Sequence, residues 1–125
     1  MAIVGYLQGT DALVLTRLAV RGVGTLPLGN GIDNHGKFIT TISGRDGIDL
    51  VVGYLHKIVR TQNQGFLTQD LLQSCLDNKI PVLIVVPEAD QPEARRLLGT
   101  VAEVVTLVDP GALYDQIARR LQLLA

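Results

Sequence analysis

Residues 80–86 read Ile-Pro-Val-Leu-Ile-Val-Val, an unbroken apolar run between Lys79 and Pro87. No polar position alternates through it, so a strand here must be covered on both faces. Such strands lie inside parallel sheets that carry helices on each side. The run is strand-sized and far short of the roughly 20 apolar residues that a bilayer span requires. One segment thus points to an α/β domain, and the rest of the chain must supply the helices and neighbouring strands.

Residues 2–7 supply one neighbour, short and apolar, followed by the turn formers Gly9 and Thr10. Thr10 or Asp11 is placed to cap a helix that runs to residue 21, with Gly22 at its C′ position. That helix is apolar almost all round (Leu13, Val14, Leu15, Leu18, Ala19, Val20), which marks it as deeply buried or shared with a partner. Residues 24–28 and 37–43 read as two more strands. The turn-rich stretch between them predicts a β-hairpin and hence a mixed sheet. Pro27 argues against a central position for the first of the two strands unless its missing N–H falls between ladder bonds.

For residues 47–61, composition favours a strand. Period favours a helix, because Ile48, Val51, Val52, Leu55, Ile58 and Val59 recur at spacings of three and four. Asp46 is its expected N-cap, and residues 62–65 read as a turn. Thr68 caps a third helix with Leu71, Leu72, Cys75 and Leu76 inward. Pro92 opens a fourth, to residue 99. Residues 101–108 form the last strand, and Asp109-Pro110-Gly111 starts the final helix. The expectation is one three-layer α/β domain over residues 1–125, with a mostly parallel (mixed) sheet of about five strands, a β-hairpin, and helices on both faces.

Composition narrows function by exclusion. The chain has 125 residues, the size of a single domain. Eleven Lys and Arg against twelve Asp and Glu give no field for nucleic acid or an anionic membrane. One cysteine, Cys75, excludes an intrachain disulfide and a cysteine-rich metal site. The N-terminus has neither the basic region nor the long apolar run of a signal peptide. A cytoplasmic protein is expected, in keeping with its free thiol.

The most unusual stretch is Gly29-Asn30-Gly31-Ile32-Asp33-Asn34-His35-Gly36. Backbone N–H groups in such a turn can cradle an anion, with Asn30, Asp33, Asn34 and His35 as the candidate ligand-binding residues. Asp33 and His35 are also potential metal ligands, although two fall short of a zinc site. The same residue types serve a loop that needs positive φ angles and local caps. Gly5-Tyr6-Leu7-Gln8-Gly9 is neither a dinucleotide fingerprint nor a Walker sequence. Strand carboxyl ends, where open α/β sheets bind ligands, gather Gln8, Glu88, Asp90 and Asp109; the last two read as helix caps. Cys75 falls on an apolar helix face and His56 on a polar one. No catalytic set, metal site or cofactor is expected.

Apolar surface is the stronger signal. On the helix expected over residues 47–61, Leu50 and Tyr54 lie outside the buried arc, and Gly53 lets another backbone approach. Leu50, Gly53 and Tyr54 are therefore the candidate partner-binding residues, for a protein, a peptide tail or a second copy.

The order and length of the elements resemble small flavodoxin-like or pseudo-receiver modules. The Arg17-Leu18-Ala19 helix with Gly22-Val23, and Ile80-Pro81-Val82-Leu83, resemble the F subunit of V-type ATPases. Size, acidity and the absence of a catalytic set resemble the CcmS-like assembly factors of the cyanobacterial carboxysome, and the run Leu26-Pro27-Leu28-Gly29-Asn30-Gly31-Ile32-Asp33-Asn34-His35-Gly36 is a distinctive signature assigned to no family. That resemblance implies a non-enzymatic factor that grips an extended shell-protein tail in an apolar groove. The expected function is a protein-interaction module, an adaptor or assembly factor. The alternative is a regulatory domain that senses a nucleotide, an anion or a metal.

Overall fold

The computed structural model describes residues 2–31, 35–59 and 68–123. Its centre is a six-stranded sheet with the order β3-β2-β1-β4-β5-β6. The strands are β1 (Ile3–Leu7), β2 (Gly24–Gly29), β3 (Lys37–Phe38), β4 (Leu50–Tyr54), β5 (Val82–Val85) and β6 (Thr106–Val108). All five strand pairs are parallel. The helices are α1 (Ala12–Val20), α2 (Leu55–Ile58), α3 (Thr68–Asp77), α4 (Gln91–Leu98) and α5 (Leu113–Arg120).

Side-chain alternation along the strands divides the core in two. Val4, Leu50, Val52, Leu83, Val85 and Val108 meet Val14 and Leu18 of α1 and Leu113 and Ile117 of α5. Leu7, Val51, Val82, Ile84 and Val86 meet α2, α3 and α4 on the other face, through Ile58, Leu72, Cys75 and Ala94. The expected three-layer α/β architecture is therefore present, and Val82, Leu83, Ile84 and Val85 are buried throughout. The α1–α5 layer is also joined by the Arg17 guanidinium, 3.7 Å above the Tyr114 ring. No helix among the described residues is long and apolar enough to cross a membrane.

Several expectations are corrected. Residues 47–61 do not form one helix: Leu50–Tyr54 is the central strand β4, and helix begins only at Leu55. A strand buried on both faces offers apolar residues at every position, so subsets at helical spacing arise within it. Leu50 and Val52 face one layer while Val51 faces the other, as a two-residue period demands. Asp46 caps no long helix. With Ser43 it closes a capping box on the 3₁₀ turn Gly44–Asp46. Asp49 pairs with β1 instead, its carboxylate accepting from the Ile3 N–H at 2.9 Å.

The expected hairpin is also absent. β3 runs parallel to β2, with Leu28 opposite Lys37 and Gly29 opposite Phe38. Gly36, directly before β3, has a φ of +67°. β3 ends after two residues because residues 39–41 turn into a 3₁₀ helix that drops Ile39 and Ile42 into the core. The short β3 leaves Pro27 beyond its register, which accommodates the missing N–H. The last strand is similarly shorter than residues 101–108: a 3₁₀ stretch, Gly99–Glu103, buries Val101, and strand geometry starts at Thr106.

Candidate functional site

The strand order places the carboxyl ends of β4 and β5 side by side, and a cleft of about 660 Å³ opens there between α2 and α4. Val85, Val86 and Ala94 form its buried floor. Half-buried Tyr54, Leu55 and Val59 make one wall. Exposed His56, Pro87, Asp90, Glu93 and Leu97 make the rim. Leu97 is 55% exposed although it belongs to a packed helix, because the inward stripe of α4 is Ala94 and Leu98.

Electrostatics at the cleft are set by short-range contacts. Burial raises the Tyr54 phenol above its usual range, and the nearby negative charge of Asp11 adds to this. The phenol therefore stays protonated at neutral pH and serves as a hydroxyl on the wall. Its ring meets that of His56 edge-on, with centroids 6.2 Å apart. The Arg96 guanidinium bonds both carboxylate oxygens of Glu93 and holds that acid below the usual carboxylate range.

Several backbone N–H groups at the strand-end turns are engaged within the protein. At the β1–α1 turn, the Asp11 carboxylate accepts from the Leu13 N–H at 2.8 Å, and the Thr10 N–H and hydroxyl both donate to Leu7 O. At the β5–α4 turn, Pro87 and Pro92 have no N–H. The Glu88 N–H donates to Asp109 Oδ1 at 3.0 Å, and the Asp90 N–H donates to Pro87 O.

Of the partner-binding candidates, only Tyr54 reaches this site. Leu50 has no exposed surface and Gly53 is enclosed within β4. Their place in the central strand, rather than on a surface helix, removes both from any interface. In the ligand-loop set, Asn30 is buried and its Nδ2 donates to Lys57 O at 3.0 Å. His35 Nδ1 lies 3.0 Å from Leu28 O, a carbonyl that can only accept, so this nitrogen carries the proton. The His35 ring also packs edge-on against Tyr6. His35 ties the loop to the sheet, and Asn30 ties it to α2. Asp33 and Asn34 lie outside the described residues. Among the described residues, no three His, Cys, Asp or Glu side chains converge on a common point.

The strand-end acids are divided in role. Asp109 is committed to structure, accepting from Glu88 N–H and Gly111 N–H. Asp90 stands at the N-cap position of α4 but makes no capping bond. Cys75 is buried in the core, where burial pushes its thiol up to about 12. The cleft residues Leu55, Val59, Ala94 and Leu97 were not anticipated. The one signal for them is the apolar Leu97 lying off the inward stripe of α4.

No family model and no curated protein matches the chain. Among solved structures, the chain is similar to a de novo designed Rossmann 2x3 fold protein determined by solution NMR. The TM-score is 0.53 at 17% identity, covering 98% of this chain and 91% of that one. The likeness is one of fold, in agreement with the parallel three-layer architecture.

Proposed function

We propose that the chain is a non-catalytic interaction module that receives a segment of a partner protein in the cleft between α2 and α4. The observation that carries this reading is the apolar, open groove, with its polar groups on the rim rather than converging on one reactive point. Grooves between helices suit the apolar side chains of a short peptide. On the resemblance in size, acidity and lack of a catalytic set to carboxysome assembly factors, that segment would be an extended shell-protein tail. Short random peptides selected by phage display against the folded protein supply the probe. Binding should shift the amide resonances of Leu55, Val86, Ala94 and Leu97 to saturation. Saturable shifts confined to another surface would overturn the reading.

A small-molecule ligand is the second reading, favoured by the location. Strand carboxyl ends are the usual binding edge of open α/β sheets, and the cleft falls within the range of about 300–1,000 Å³ typical of ligand pockets. A saturable thermal shift with a neutral apolar metabolite, and none with any peptide, would favour this reading over the first.

A further inference from the structure

Resting on the peptide-cleft reading, we propose that the partner segment carries a lysine or arginine beside its apolar anchor, and that Asp90 is the group that recognises it. A helix N-cap aspartate ordinarily accepts from the N–H of the second or third helical residue. Here the second helical residue is Pro92, which has no N–H. Asp90 is also the last residue of the 3₁₀ turn Glu88–Asp90, with φ −97° and ψ −2°, rather than the extended conformation of a capping residue. Its carboxylate is therefore placed at the cleft without a capping role.

The other charges at the cleft are compatible with an incoming cation. Glu93 is neutralised within its own helix by Arg96. His56 is the one basic side chain type on the rim. The start of α4 contributes a dipole equivalent to about half a positive charge, less than the full negative charge of Asp90 that precedes it. A cation above Asp90 meets net attraction, and an anion meets net repulsion. The apolar floor of Val86 and Ala94 lies within the same cleft, so one segment can fill it and place its ammonium or guanidinium group at the rim.

Three designed extended peptides would share one leucine anchor and differ only in their flanks, which are lysine, glutamine or glutamate. Fluorescence anisotropy against the full chain at low salt should rank them lysine, glutamine, glutamate, with about a tenfold span, as expected for exchanging one exposed attraction for one repulsion. Asp90→Lys should invert the order. Added salt should compress it. Equal affinities for the three peptides, each abolished by Leu97→Glu, would overturn the cation inference and leave the cleft reading standing. No saturable binding sensitive to Leu97→Glu would overturn both.

Discussion

Gly53 is the residue on which the centre of the sheet turns. A Cβ at this position would lie 2.7 Å from Leu7 Cδ1 and 3.2 Å from Ile58 Cδ1. Both neighbours are buried, so neither can swing into solvent. Gly53→Ala should destabilise the fold by about 1–3 kcal/mol through overpacking. A lower urea midpoint at unchanged slope would report this loss. On a surface helix the same change would stabilise by about 0.5–1 kcal/mol. The sign of the effect thus tests whether residue 53 lies in a central strand. Leu50, two strand positions before Val52 on the same face, follows the same logic. Leu50→Ala removes core packing and should cost about 2–5 kcal/mol, so a charged residue there would test folding rather than recognition.

At the scale of elements, α1 depends on its cap. Asp11 accepts from the Leu13 N–H, and the helix begins one residue later, at Ala12. Asp11→Ala should lower stability by about 0.5–2 kcal/mol, seen as a reduced thermal midpoint by circular dichroism. This helix was legible in the sequence to within one residue at its end, because its signals are local: Asp11 before the apolar run, and Gly22 after it with φ +80°. α3, α4, α5, β1 and β5 were legible for similar reasons. β4 was not. Its identity depends on being enclosed by β1 and β5, a tertiary fact, and a doubly buried strand lacks the alternation that would separate it from a helix. The cleft was harder still to read. Leu55, Val86 and Leu97 come from three elements, and only the strand order brings them together. The direction of β3 was equally hidden, since loop composition marks a reversal of the chain but not whether the next two residues pair parallel or antiparallel.

At the scale of the whole molecule, the sheet separates two apolar layers, and its edges are short. β3 and β6 contribute two and three residues, whereas β1, β4 and β5 lie between paired neighbours. The most protected amides in hydrogen exchange should therefore belong to β1, β4 and β5. The β3 edge adds a pH dependence. Hydrogen bonds from Lys37 Nζ and from the Ser43 N–H hold the Asp46 carboxyl below its ordinary value of 3.8. Because the folded-state value is the lower one, this contribution is complete above that ordinary value and is lost as pH falls through the folded one. Wild type and Asp46→Asn should differ in thermal midpoint near neutrality and converge in acid. A difference that persists in acid would contradict the assignment.

The placement of recognition at the β4–β5 edge has its most exposed apolar rival, among the described residues, on α1. Leu13 and Val20 on α1 are 74% and 81% exposed, on the opposite layer from α4. Calorimetric titration of a display-selected peptide against two variants separates them, because both substitutions fall on exposed helix positions and leave the core intact. Leu97→Glu should abolish binding, while Leu13→Glu should bind as wild type does. Full affinity in Leu97→Glu, with loss in Leu13→Glu, would place the functional surface on α1 and contradict the account.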